Sequence, residues 1–443
     1  MLFTMSLTAM GQTNTIMKSP LQEGKFSIIR EWKNGWSVLF AREISGNSYF
    51  ALWRSGYNTA RTASIPSNTL ITDFRVHNDS VFYIGTYTDA GGTHYGFAGF
   101  FDIPQMFYGG DAIYYDVIST MTYPEYVQTT IPRRMDLYEK SGITHIVFVG
   151  ECELHPTPGA YHRSTVYDIY YSGSNWVCNF YFNKDGNEYY TDIVASNSYV
   201  VAVARDTNYT KCYVDVYYPS GAISYTPLIP NYTLVLTDEP PVSDICLEAL
   251  SSDVFAMAYQ YKNTVLAGST IKTFQVDNII PTISILDSYT TPHGLGSLFN
   301  NGWEARQLRF DSFSNTLLFL QKTSYTSVPT SESILCQYDM ATLGSGIELF
   351  SFNTGYDWFR IDILQTINYQ KIGEDISGIL SIEKQSSATS TGCLTIETLN
   401  YSPSITSVTL ENKYGRELYA NNNISGVVYP TIGVIPMELI CEY

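Results

Sequence analysis

The chain reads as an all-β repeat protein, and three observations lead there. Of its 443 residues 37 are Tyr and 22 are Phe, while only 15% are charged, a composition of short strands and polar turns. No stretch carries the 3.6-residue apolar periodicity of a long amphipathic helix. Finally, one pattern recurs along the chain: an apolar strand, a short polar turn, a strongly apolar strand, a polar loop and a third alternating strand.

The first unit runs from Phe26-Ser27-Ile28-Ile29 through the turn Lys33-Asn34-Gly35 into Trp36-Ser37-Val38-Leu39-Phe40-Ala41, then Tyr49-Phe50-Ala51-Leu52-Trp53. The second has Asp73-Phe74-Arg75-Val76, the turn His77-Asn78-Asp79, Val81-Phe82-Tyr83-Ile84, and Tyr95-Gly96-Phe97-Ala98. The third has Met135-Asp136-Leu137, Lys140-Ser141-Gly142, Ile146-Val147-Phe148-Val149 and, after a long loop, Val166-Tyr167-Asp168-Ile169. The fourth has Asp192-Ile193-Val194, Val200-Val201-Ala202-Val203 and Cys212-Tyr213-Val214-Asp215. The fifth opens at Asp244-Ile245-Cys246 and continues through Val254-Phe255-Ala256-Met257 to Ile271-Lys272-Thr273-Phe274. The sixth and seventh are less regular, built on Leu308-Arg309-Phe310-Asp311 with Leu317-Leu318-Phe319, and on Ile361-Asp362-Ile363 with Ile379-Leu380-Ser381.

Successive aspartate markers, Asp73, Asp136, Asp192, Asp244, Asp311 and Asp362, are 51 to 67 residues apart. That period is too long for a solenoid rung and suits a four-stranded sheet with extended loops. Seven such units fill residues 18–443, so the sequence predicts a β-propeller of seven four-stranded blades, each sheet burying both faces against its neighbours. Two packed β-sandwiches are the alternative. Fourth strands are expected just before the next marker, as in Ile223-Ser224-Tyr225-Thr226 and Thr282-Ile283-Ser284-Ile285. The tail, with Val427-Val428-Tyr429 and Met437-Glu438-Leu439-Ile440-Cys441, is placed to add a strand to the first blade and close the circle.

The net charge of −17, with only 25 Lys plus Arg, repels phosphate backbones and anionic lipid, which excludes nucleic-acid binding. No apolar run reaches the 18 or more residues of a membrane-spanning helix. Seven cysteines lie far apart with no CxxC or Cys/His cluster, so neither a metal site nor a disulfide framework is expected. Cys212, Cys336 and Cys393 fall in alternating apolar runs, where Cys packs as a small hydrophobe. Residues 1–17 contain a short apolar stretch followed by small and polar residues, the back half of a secretory leader without its basic start, or else a plain tail.

Candidate sites are few. The inner strands of a propeller line its centre, so Asp73, Asp136, Asp192, Asp244 and Asp362 can meet there and hold a cation or polar ligand; Asp at a strand start also accepts backbone N–H groups, which is the structural use. The loop 151–163 brings His155 and His162 together with two Glu and an Arg, although two His seven apart in a loop specify no metal geometry. The segment 183–188, with Asp185-Gly186, lacks calcium-loop spacing and reads as a hairpin. Aromatic residues near loops, Phe107, Tyr108, Trp176, Trp303 and Trp358, can stack on sugars or a protein partner, or pack between blades. No GxSxG, HExxH, phosphate loop or dinucleotide fingerprint occurs in a fitting context, and no cofactor is indicated.

The leader-like start followed by Tyr-rich propeller repeats resembles uncharacterised secreted β-propeller proteins of Bacteroidetes type, over most of the chain and without a specific motif. The resemblance implies a secreted, periplasmic or cell-surface protein. Fold and resemblance together suggest a non-enzymatic ring that binds a glycan or protein partner by one face. The rivals are a carbohydrate-active propeller enzyme using a carboxylate pair near the central channel, and a structural scaffold subunit.

Overall fold

In the computed structural model the described residues run from Thr15 to Glu442, outside the segments 118–126, 155–161, 220–229, 293–303, 366–375 and 401–425 and a number of shorter loop stretches. Nearly every element is an antiparallel strand. Residues that read as one unit form one sheet in simple up-and-down order. The third unit is Val127–Lys140, Ile143–Leu154, His162–Tyr171 and Trp176–Lys184, and the fourth is Glu188–Ala195, Val200–Asp206, Cys212–Tyr217 and Tyr232–Leu236. The fifth, Cys246–Ala249, Val254–Lys262, Ala267–Asp277 and Thr282–Pro292, includes the expected fourth strand at Thr282; the segment 223–226 expected to close the fourth unit lies outside the described residues.

Sequence explains why each sheet stands edge-on to a centre with a neighbour on both faces. Second strands such as Val200–Asp206 are apolar at consecutive positions, and five of the first six of these residues are buried rather than every other one. A strand with one wet face alternates; a strand covered on both sides does not. The apolar clusters accordingly lie between consecutive units. One joins Phe40 and Phe50 of the first to Phe74, Tyr83 and Phe101 of the second, with the Phe50 ring 4.9 Å from Phe101 and 5.6 Å from Phe74. Further clusters join second to third, third to fourth, fourth to fifth, and fifth to sixth. Four-stranded antiparallel sheets, each packed face-on against the next in chain order, are a β-propeller.

Tight hairpins set the inner register. Ser141 and Gly142 both have positive φ (53° and 76°), the backbone of a two-residue type I′ turn that matches strand twist. Close contact between sheets also constrains side chains: a Cβ on Gly96 of the second unit would lie 2.3 Å from the Thr130 carbonyl oxygen of the third, so only glycine fits there.

Both chain ends take part in closure. The 19-residue strand Thr15–Lys33 belongs to two sheets: Gly24–Lys33 pairs with Trp36–Glu43 of the first unit, while Thr15–Lys18 pairs with Cys393–Asn400 of the last. The result is one nine-stranded sheet. Three tail strands then wrap the outside. Gly426–Val428 joins the outer strand of the second unit, Ile432–Pro436 that of the first, and Glu438–Glu442 lies on Thr15–Lys18.

Candidate functional site

The inner strands bring acid and guanidinium groups to the centre of the ring. Arg30 of the first unit is 3% exposed and donates through Nη2 to Asp73 Oδ1 at 2.9 Å and through Nε to the Phe74 carbonyl at 3.1 Å. Asp73, fully buried, also receives Arg75 Nη1 at 3.1 Å, its neighbour's Phe74 N–H at 2.9 Å and the Met135 N–H of the third unit at 3.2 Å. Burial pushes the Asp73 carboxyl up, but the guanidinium groups of Arg75, Arg30 and Arg134 and the Met135 amide outweigh it and hold the group below the usual carboxylate range.

The pattern continues around the ring. Arg75 Nε donates to Asp136 Oδ1 at 3.0 Å, and Asp136 Oδ2 accepts the Ala195 N–H of the fourth unit at 2.8 Å. Asp192 accepts the Ile193 N–H and, from the fifth unit, the Leu247 N–H, both at 2.9 Å. Glu248 accepts the Phe310 N–H of the sixth unit at 3.3 Å and lies 3.4 Å from Arg309 Nη1. Each of these carboxylates therefore ties its own sheet to the following one. Burial pushes Asp192 up to about 6 against Arg134, the two amides and Arg75. Glu248 is pushed up as well, by burial with Asp136 adding to it, against Arg309, Arg75 and the Phe310 amide. Across the centre, Arg134 Nη2 donates to the Arg306 carbonyl at 3.2 Å, linking the third unit to the sixth.

Asp73, Asp136 and Asp192 thus share the centre. Asp244 does not: it precedes its strand, has a side chain 50% exposed, and pairs with Arg205 Nε at 3.0 Å. Glu248, four residues on, takes the inner-strand place in the fifth unit. Asp362 lies in the strand Tyr356–Gln365, and His162 lies in His162–Tyr171 opposite Glu153. His155 and Trp303 lie outside the described residues. Among the described residues no group of three or more His, Cys, Asp or Glu is placed to hold a metal ion.

In an up-and-down sheet the loops joining second to third strands and those joining one unit to the next leave by the same face of the ring. Asp244 stands on one such connection. One described loop of this face carries Tyr209, 41% exposed and with φ 55°. Asp206 fixes its loop by accepting the Thr210 and Lys211 N–H groups at 2.6 and 3.0 Å. The Arg205 guanidinium lies 4.3 Å from the Tyr209 ring centre and 6.0 Å from that of Tyr189. Arg205 is thus held between two rings and Asp244. Of the aromatic candidates, Tyr108 is 54% exposed over Arg61 at 4.1 Å, by a loop leaving the opposite face; Phe107 is buried; Trp176 packs on Phe100 and Tyr171.

Two buried polar networks went unread in the sequence. Asp168 accepts Tyr138 Oη and, at 2.7 Å, Asn179 Nδ2, and sits 2.8 Å from His145 Nδ1. In the next unit Asp215 accepts Tyr190 Oη and Thr233 Oγ1, both at 2.6 Å, and pairs with Lys184 at 3.0 Å. The signal lay in the similar third strands, Asp168-Ile169-Tyr170-Tyr171 and Asp215-Val216-Tyr217-Tyr218. Both carboxylates are fully buried and saturated with partners, the state in which such groups specify packing. Cys178, raised by burial and by Asp168, is a neutral thiol.

No family model matches the chain, and no curated protein matches it. Among solved structures it is similar to the periplasmic gluconolactonase of Pseudomonas aeruginosa, at 11% identity over 88% of this chain and 97% of that one, with a TM-score of 0.45. It is similar also to the NanB sialidase of Streptococcus pneumoniae (7%, 88% and 95%, 0.39) and to the WD40 domain of SCAP from fission yeast (9%, 88% and 98%, 0.35). Likeness at this level bears on neither substrate nor site, and the propeller rests on the sheet order above.

Proposed function

We propose that this protein is a non-catalytic, exported propeller of seven blades that binds a glycan or protein partner by the ring face bearing Tyr209. The nine-stranded sheet counts as two of those blades, and export follows the leader-like start and the secreted propellers the sequence resembles. Tyr209 carries the binding reading: an exposed aromatic ring on a loop pinned by Asp206, backed by a guanidinium, is a preformed platform for a sugar ring or an apolar side chain. The central carboxylates favour it from the other side, since each described one is engaged by backbone amides or arginine.

The test is incubation of the purified protein with plant, host and microbial polysaccharides, scoring retention and product release together. Retention without release, weakened about tenfold in Tyr209→Ala, is expected from the loss of one stacked ring. A second reading, a carbohydrate-active enzyme, has one observation in its favour: Asp192, at about 6, is a carboxyl able to exchange a proton near neutrality. Released oligosaccharide that disappears in Asp192→Asn would establish that reading instead, and silence on every glycan would move the search to protein partners.

A further inference from the structure

The loop that presents Tyr209 is built to hold it. A tyrosine at φ 55° stands in the left-handed region that bulky residues rarely adopt, and several hydrogen bonds keep it there. The Asp206 carboxylate accepts the Thr210 and Lys211 N–H groups and the Thr210 hydroxyl, and its carbonyl accepts the Tyr209 N–H at 3.2 Å. The Thr207 N–H donates to the Asn187 carbonyl at 2.7 Å, which ties the loop to the start of the same unit. Beside the ring stand a donor and an acceptor. Arg205 gives Nε to Asp244 Oδ1 at 3.0 Å and Nη1 to the Asp206 carbonyl at 3.5 Å, and among the described residues its Nη2 meets no acceptor. Asp244 is half exposed, and its Oδ2 likewise accepts no hydrogen bond from the described residues. Arg205 belongs to the fourth unit and Asp244 to the connection into the fifth, so the three groups meet where two sheets join.

We propose that Tyr209, Arg205 and Asp244 form a subsite for a neutral hexopyranose. The guanidinium covers one side of the Tyr209 ring at 4.3 Å; the C–H face of the sugar stacks on the other, one hydroxyl donates to Asp244 Oδ2, and the adjacent hydroxyl accepts from Arg205 Nη2. The subsite rests on the binding reading above and narrows it from glycan or protein to one class of ligand. An acidic sugar is disfavoured because Asp244 already meets the Arg205 charge and turns its own carboxylate to the ligand, in a chain of net charge −17. An apolar side chain of a protein partner would cover the ring equally well, but it would leave both polar groups dehydrated and unpaired. A pyranose carries an apolar face together with hydroxyls that both donate and accept, which matches all three groups.

Calorimetric titration of the full-length protein with cellotetraose, mannotetraose and galactotetraose, beside tetragalacturonate, tests it. Saturable binding of at least one neutral tetrasaccharide is expected, tighter than that of tetragalacturonate by about tenfold or more. Tyr209→Ala should weaken it about tenfold through the lost stacking, and Asp244→Ala about tenfold through the lost charged acceptor. Tyr108→Ala, which removes an exposed ring by a loop of the opposite face, should leave it unchanged. Circular dichroism confirms the fold of each variant, and if Tyr209→Ala is unfolded, Tyr209→Asn, which suits the left-handed backbone, carries the comparison. The proposal is overturned, with the binding reading intact, if no neutral tetrasaccharide binds the wild-type protein, if tetragalacturonate binds as tightly, or if Asp244→Ala binds as the wild type does while the Tyr209 variant does not. Both fall together if a neutral tetrasaccharide binds and the folded Tyr209 variants bind it as the wild type does.

Discussion

Replacing Asp73 by Asn keeps the shape of the side chain and removes its charge. Arg30, almost wholly buried, then loses the carboxylate at 2.9 Å and stands as an uncompensated interior cation, a loss of about 3–5 kcal/mol in comparable buried pairs. The amide nitrogen of the new side chain also meets the Met135 N–H, donor against donor, where Asp73 Oδ2 had accepted at 3.2 Å; an unsatisfied buried amide costs about 1–3 kcal/mol. The two effects share one site and do not simply add, so the expected destabilisation is about 4 kcal/mol. Urea unfolding followed by tryptophan fluorescence and far-UV circular dichroism measures it, coincidence of the two probes licensing a free energy. Asp244→Asn is the internal control: an exposed pair with Arg205 contributes under about 0.5 kcal/mol. The coupling is checked by repeating Asp73→Asn in an Arg30→Met background, where its cost should shrink by about 2 kcal/mol. A loss at Asp73 below about 1 kcal/mol, or one equal to that at Asp244, would refute the reasoning.

Asp192 gives a signed dependence on pH. Its folded value of about 6 stands above the ordinary Asp value of about 3.9, so the folded state holds the proton more tightly, and stability is greatest below about pH 4 and falls as pH rises to about 6, by no more than about 3 kcal/mol. The stability difference between wild type and Asp192→Asn should therefore favour the wild type more at pH 4.5 than at pH 7.5; a difference that does not move with pH excludes the assignment. Cys178, Cys212 and Cys246 are buried, and burial pushes Cys212 up to about 12, so iodoacetamide followed by peptide mass analysis should find all three unmodified in the native protein and labelled in denaturant. Rapid native labelling of any of them would contradict the packing. Removing residues 426–443 uncovers the outer strands Thr59–Ile65 and Ile113–Val117; their amides should exchange faster and the unfolding midpoint should drop, and unchanged exchange would mean the tail strands contribute nothing to the edges.

The architecture was legible because its signals are local and repeated. Strand, turn, apolar strand and loop recur at a period long enough for a four-stranded sheet, and the consecutive burial of Val200, Val201, Ala202 and Val203 reflects packing on both faces, which composition alone expresses. The centre was half legible. The repeat marks Asp73, Asp136 and Asp192, whereas at its fifth position it marks Asp244 and Glu248 is the residue turned to the sixth unit. Spacing sees a carboxylate only by its position along the chain, and the four-residue offset between Asp244, which precedes its strand, and Glu248, which lies in it, is decided by tertiary pairing. Arginine offered a second marker: Arg30, Arg75, Arg134 and Arg309 each sit on an inner strand in a chain poor in basic residues. Tyr209 was missed because nothing in Thr207-Asn208-Tyr209 marks it until Asp206 folds back on the loop.

The strand shared between the first and last sheets has a consequence for synthesis. Thr15 pairs with Thr398 on one side and with Glu442 on the other, so the earliest part of the domain to leave the ribosome waits for the latest. Intermediate sheets can form as they emerge, but closure needs contacts across nearly the whole length of the chain and is slow for that reason. Until then Thr15–Lys18 lacks both partners and the outer strands of the first two units lack their covers. That interval is when holding factors would act on the nascent chain and when self-association is most favoured, and a stalled or prematurely ended chain would be trapped in it.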